Sequence, residues 1–365
     1  MAKEPSNPKK SFEQYSPETW EQAANIASRL GKVPSSFTTT IHFLRKDIEE
    51  KRESPSSGSV FCLQRLFRSP TFKAPLYYCA LTFFGEQAAG FSKIGPRELW
   101  KMFGPDGLIV AVALVYLSKK AHSVTDQSEW AFVVRGMGLE SETGGYLGQA
   151  IPNIGFALGV LAGGLRHLGL AMFLAVDKNG YVDYRRQLKM KRSIYDFEIE
   201  FKRWGCNHVQ VAAILAQSLG MGASWCSALV RGLDFLNPDL EGIDEEGFCM
   251  RTALVWIDAL LKTGVAPDIT HSGKYYPLKS DYDALVAKVA ALRESGSRYA
   301  WIERGKEDVD PVKTPVIYSS VEIKRFQAAG GEVPQDEEIP EDVARELSPE
   351  ELDKLKSEKI TPEGD

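Results

Sequence analysis

The segment IGFALGVLAGGLRHLGLAMFLAV, residues 154–176, constrains this chain more than any other. It is apolar throughout, except for Arg166 and His167 near its centre. Its length matches the ~20 residues that cross a bilayer, but two ionisable groups at mid-depth are costly in lipid. The run therefore reads as a helix, or a helix pair, buried inside a protein whose other elements cover it. A second apolar run, GLIVAVALVYL (107–117), falls short of the ~20 residues that a span needs. His167 then has two readings: a metal ligand, or a core histidine held by one good hydrogen bond.

Helical patterns elsewhere supply the cover. SPETWEQAANIASRLGKV (16–33) has Ser16 as cap, Pro17 in its first turn and Gly31 as its stop. SVFCLQRLF and TFKAPLYYCALTFF are two more patterns, parted at Ser69-Pro70, and PRELWKMFGPDGLIVAVALVYLSKKA breaks at Gly104-Pro105. In EFKRWGCNHVQVAAILAQSLGMGASWCSALV (200–230), apolar residues line one long helical face behind Gly205 as turn and Asn207 as cap. His208 falls in the first turn of that helix. The glycines at 159, 163 and 164 predict a place where two helices approach closely. After Ala266 the character changes: SDYDALVAKVAALRESG is an amphipathic helix, and TPVIYSSVEIKRF (314–326) predicts a short strand. No βαβ spacing occurs, so the fold class is mainly α.

Composition narrows the functional classes. The net charge is −5, but Glu332–Asp365 holds about 13 acidic and about 4 basic residues, a local charge of about −9. The remainder is mildly basic, with no concentrated face of the kind a nucleic-acid binder shows, so nucleic acid is excluded as a partner. Cys62, Cys79, Cys206, Cys226 and Cys249 are odd in number and sit in apolar sequence, which predicts reduced, buried thiols in a cytoplasmic protein. The N-terminus MAKEPSNPKKSFEQ has no apolar core, so no secretory signal is expected. Membrane insertion is not expected either.

No phosphate-cradling loop, nucleophile elbow or ordinary zinc spacing occurs, so no cofactor, metal or catalytic residue is assigned. YRRQLKMKR (184–192) concentrates Arg185, Arg186, Lys189, Lys191 and Arg192. This is a solvated basic face, or a contact for an anion, an acidic partner or the chain's own acidic tail. Within that tail, SPEELDKLK carries a capping box, Ser348 with Glu351, at the start of a short helix.

The order of these pieces resembles the HDOD domain family, the HD-related output domains of bacterial signalling proteins. EFKRWGCNHVQVAAILA is similar to the family segment in which a glutamate precedes a Gly-x-x-His helix start; Glu200, Gly205 and His208 stand in the matching places, with Ala212 where glycine is usual. AGGLRHLGLAMFL is similar to the family's Gly-Leu-Leu-His-Asp helix. LFRSPTFKAPLYYCALTFFG, KIGPRELWKMFGPDGLIVAVAL and LGKVPSSFTTTIHFL match upstream segments in the same order. The likeness covers about two thirds of the chain and divides it as follows. Residues 1–29 are a tail and first helix, 30–265 a single HDOD-like helical domain, 266–331 a small α or α/β extension, and 332–365 a flexible acidic tail.

Catalytic HD phosphohydrolases hold metal through a His-Asp doublet and further His and Asp residues, and the metal acidifies a water. Here the doublet position reads His167-Leu168, and EWAFVVRGMGL has no upstream histidine. The resemblance thus implies a non-catalytic signalling or scaffold protein of the bacterial cytoplasm. It would bind a protein partner, or a small-molecule or nucleotide ligand, through a degenerate cleft lined by His167, Glu200 and His208. A structural subunit of a larger assembly and a residual phosphohydrolase are the alternatives.

Overall fold

The structure, a computed structural model, describes residues 14–89, 91, 94–237, 239–268, 273–305 and 339–358. All regular elements among them are helical. The expected strand at 314–326 and His271 lie outside the described residues. The chain divides into two units, each discontinuous in sequence: Met1–Lys32 with Tyr116–Arg298, and Val33–Val115 with Tyr299–Asp365. Reading composition along the chain does not reveal such interleaving, and the expected segments 30–265 and 266–331 do not coincide with the two units.

In the first unit, α1 (Pro17–Ala27) begins at Ser16 and Pro17, and runs through a 3₁₀ turn to Gly31 at φ 78°. The second unit opens with α2 (Ser35–Glu49), α3 (Ser57–Leu66) and α4 (Pro70–Ala89). α5 (Pro96–Val124) is broken at Gly104, whose φ of 65° suits glycine, and Pro105 follows. The first unit resumes at Tyr116, within α5, and continues with α6 (Gln127–Ala150) and α7 (Phe156–Val176), then α8 (Lys178–Lys191), α9 (Phe197–Trp204), α10 (His208–Ser218), α11 (Ala223–Gly232), α12 (Glu245–Thr263) and α13 (Lys279–Ser295). α14 (Glu341–Glu346) and α15 (Pro349–Ser357) belong to the second unit.

α7 is the opening sequence feature, and it forms the centre of the first unit. Helices α1, α6, α8, α10 and α12 pack around it. α5 and α7 are each long and apolar enough to cross a membrane, but 78% and 83% of their most apolar windows are buried inside the fold. That burial accounts for their apolarity, as it does for any core helix.

α6 and α7 form an antiparallel pair with a glycine seam. A Cβ on Gly144 would lie 2.0 Å from the Gly159 carbonyl oxygen, and one on Gly148 would lie 2.2 Å from that of Gly155. One on Gly163 would lie 2.3 Å from the Glu140 carbonyl carbon. The contacts step by one turn in opposite directions on the two helices, so the i, i+4 ridge of each is emptied for the other. Gly159 and Gly163 thus serve the close approach expected of them.

Part of the stretch 332–365, expected to be a flexible acidic tail, is helical in the second unit. Residues 339–358 are folded: α14 and α15 lie on α2 and α3. Val343, Leu347 and Leu355 are buried with Phe43, Phe61 and Cys62. The tail is apolar enough for this because its few aliphatics recur on one side of a helical pattern. The capping box is formed as expected: Ser348 Oγ accepts from the Glu351 N–H, and the Glu351 carboxylate accepts from the Ser348 N–H.

Candidate functional site

The glycine seam sets what surrounds His167. One step beyond the Gly163–Glu140 contact, the imidazole packs on Gly136, where a Cβ would lie 2.6 Å from Cε1. Arg166 donates through Nη2 to Glu140 Oε1, and His167 Nε2 lies 3.1 Å from the same oxygen. The Arg166 side chain is 5% exposed and that of Glu140 17%. Burial pushes the Glu140 carboxyl up, but Arg166 and His167 outweigh this and hold it at about 2. Burial lowers the His167 pKa; the Glu140 carboxylate opposes that, while Arg166 and His208 add to it. His167 is therefore a core histidine with a carboxylate partner.

Glu200, on α9, and His208, the first residue of α10, form a second cluster. Asp196 caps α9 by accepting from the Ile199 N–H at 3.1 Å, and Gly205 closes it at φ 73°. Asn207 and Gln210 make a capping box at the start of α10. These two ends place His208 over the Glu200 carboxylate. The His208 N–H donates to Glu200 Oε2 at 2.7 Å, and His208 Nδ1 lies 2.9 Å from Oε2 and 3.0 Å from Oε1. Tyr184, on α8, donates its hydroxyl to Glu200 Oε1. Burial and the Glu200 carboxylate both raise the Tyr184 pKa, so the phenol keeps its proton. Glu200, His208 and Tyr184 are each 0% exposed. His208 Nε2 is buried without a hydrogen-bond partner, and the rings of Tyr195 and Phe197 pack against the imidazole with centroids 5.3 and 5.6 Å away.

The structure thus brings His167, Glu200 and His208 into one neighbourhood, where α7 passes α10. A Cβ on Gly169 would lie 2.3 Å from the His208 carbonyl oxygen. The three residues nevertheless belong to two separate hydrogen-bonded clusters. Leu168, the residue after His167, is buried at 1% exposure. Neither the small cavity beside Arg231 and Arg251 nor the groove beside Pro340 is lined by any of these side chains. Among the described residues, no three His, Cys, Asp or Glu side chains converge as a metal-binding set.

The basic segment is mostly spent on local carboxylates. Arg185 pairs with Glu129 at 2.6 Å and lies over the Phe132 ring, Arg186 pairs with Asp183, and Lys191 pairs with Asp196 at 2.6 Å. Lys189 and Arg192 stand exposed at the end of α8. The described part of the acidic tail makes its contacts with α2 and α3.

Glu140 and Tyr184 escaped the sequence reading. The signal for Glu140 was present: an arginine inside an apolar helix needs a buried carboxylate. Tyr184 was masked by the basic residues that follow it.

Comparison with family models, with curated proteins and with solved structures found no match for this chain.

Proposed function

We propose that this chain is a non-catalytic binding module of HDOD type, serving as a signalling or scaffold protein of the bacterial cytoplasm. One observation carries the reading: the residues that would line a degenerate HD cleft bond to one another. Glu140, Arg166 and His167 close one cluster, and Tyr184, Glu200 and His208 close the other. Leu168 supplies no carboxylate where metal chemistry would need one. Side chains that bond to one another in this way favour a protein partner over a small ligand, because a ligand pocket requires hundreds of Å³ of open space (~300–1,000).

The test is metal content and phosphohydrolase activity of the purified full chain, beside His167→Ala and His208→Ala. The reading expects no bound metal and no activity in any of them. Stoichiometric metal and nucleotide hydrolysis, both lost in the alanine variants, would overturn it, since a true ligand couples the two.

A further inference from the structure

The contacts of the C-terminal segment are those of a guest in a groove. α2 starts after Pro34, which has no side chain able to cap it, so its first amides lack a local acceptor. The acceptor comes from the far end of the chain. The Ser35 and Ser36 N–H groups donate to the two carboxylate oxygens of Glu358, the second at 2.8 Å. Arg65, on α3, donates to the carbonyls of Leu355 and Glu358 at 2.5 and 2.6 Å, and so caps the C-terminal end of α15. Lys46 pairs with Glu346 at 2.7 Å. Between these polar ends, Phe43, Phe61 and Cys62 receive Val343, Leu347 and Leu355.

These host devices recognise a helix by its end, by a carboxylate just past that end, and by an apolar stripe. None depends on the guest being joined to its host through residues 306–338. Such reading of peptide carbonyls and a carboxylate suits a polypeptide rather than a membrane or a nucleic acid. The site also extends past its present occupant. Beside Pro340 an open groove of about 430 Å³ runs between Pro55, Val60, Phe61, Gln64 and Arg97.

We propose that the α2–α3 face is a docking groove for an acidic amphipathic helix of a partner protein, and that residues 339–358 occupy it in cis as a competitor. The proposal is independent of the HDOD reading. The tether gives the internal segment a high effective concentration, of order millimolar, so a partner must match its chemistry and exceed its affinity. The open groove beside Pro340 offers a longer helix the extra contacts to do so.

The test uses the full chain and a fluorescent, amidated peptide of residues 339–358. Leu355→Asp in the full chain places a carboxylate among Phe43, Phe61 and Cys62 and releases the internal segment. That variant should take up the peptide at least about tenfold more tightly than the wild type, whose groove is occupied. Adding Arg65→Ala to it should weaken uptake by about tenfold, as expected for loss of a charge-assisted contact. Equal uptake by wild type and Leu355→Asp overturns the proposal. So does absence of uptake by a Leu355→Asp chain that keeps wild-type helicity. Should Leu355→Asp not fold, Glu358→Gln serves instead, read by hydrogen exchange at the Ser35 and Ser36 amides and by peptide uptake. Both should rise, and unchanged values overturn the proposal.

Discussion

Gly163→Ala tests the seam that builds the site. The added methyl would lie 2.3 Å from the Glu140 carbonyl carbon, 2.4 Å from its oxygen and 2.6 Å from the Ser141 nitrogen. Carbon atoms in good contact sit ~3.5–4.0 Å apart, so the helices must separate by about 1 Å or more. The obstacle is backbone, which cannot rotate aside as a side chain can. Overpacking of this kind costs ~1–3 kcal/mol and more where backbone must move, whereas replacing glycine by alanine within a helix gains ~1 kcal/mol. Separation at this point also opens the Gly144–Gly159 and Gly148–Gly155 contacts, so the cost should dominate, with a net loss of about 2 kcal/mol. Gly138 lies on the same helix, α6, where an added methyl meets nothing within 4 Å. Gly138→Ala should therefore stabilise by ~0.5–1 kcal/mol. Thermal unfolding followed by far-UV circular dichroism reads both. Gly163→Ala should lower the midpoint by about 4–8 °C, and Gly138→Ala should raise it by about 2–3 °C. A rise for Gly163→Ala would refute the argument, because the close approach would then carry no steric cost.

The remaining predictions concern the two buried clusters. Glu200→Ala removes the acceptor of three donors and should destabilise by ~3–5 kcal/mol in urea unfolding; a loss below about 1 kcal/mol would show that the pair is not held as described. Tyr184→Phe removes both the hydrogen bond donated to Glu200 and the one accepted from the Asp196 N–H, and should cost ~1.5–3 kcal/mol in the same assay. The Glu140 pKa is depressed to about 2 from 4.5, so its contribution is full above the unfolded value and is lost as pH falls from about 4.5 to 2. The stability gap between wild type and Glu140→Gln should shrink across that window, and a constant gap would contradict the assignment. The His167 pKa is lowered from 6.5, so the unfolded state takes up the proton first and stability falls as pH drops below 6.5. In His167→Gln that part of the acid slope should be missing.

Much of the fold was legible because local rules determined it. The break at Gly104-Pro105, the helix start at Asn207 and the capping box at Ser348 are each written in a few adjacent residues. The glycine seam was half legible. Gly159 and Gly163 announce a close approach, but their counterparts, Gly144 and the backbone at Glu140, are identified only by the register of two helices. The interleaving of the two units and the capping of α2 by Glu358 were not legible at all. Both join residues hundreds of positions apart, and local patterning carries no information about such pairs.

The site shows the same limit in sharper form. His167, Glu200 and His208 were identified as one cleft, and the backbone does bring α7 and α10 together there, at Gly169 and the His208 carbonyl. What the sequence left open was how each residue spends its hydrogen bonds. Arg166 decides this for His167: a buried guanidinium requires a carboxylate, and the seam puts Glu140 within reach of both side chains. Glu140 thus bonds within its own cluster, apart from Glu200 and its donors. Leu168, the next residue, is buried and offers no ligating atom. The imidazole at the centre of the apolar run is thus explained by its neighbour in sequence. Arg166 draws the carboxylate into the core, and His167 shares it.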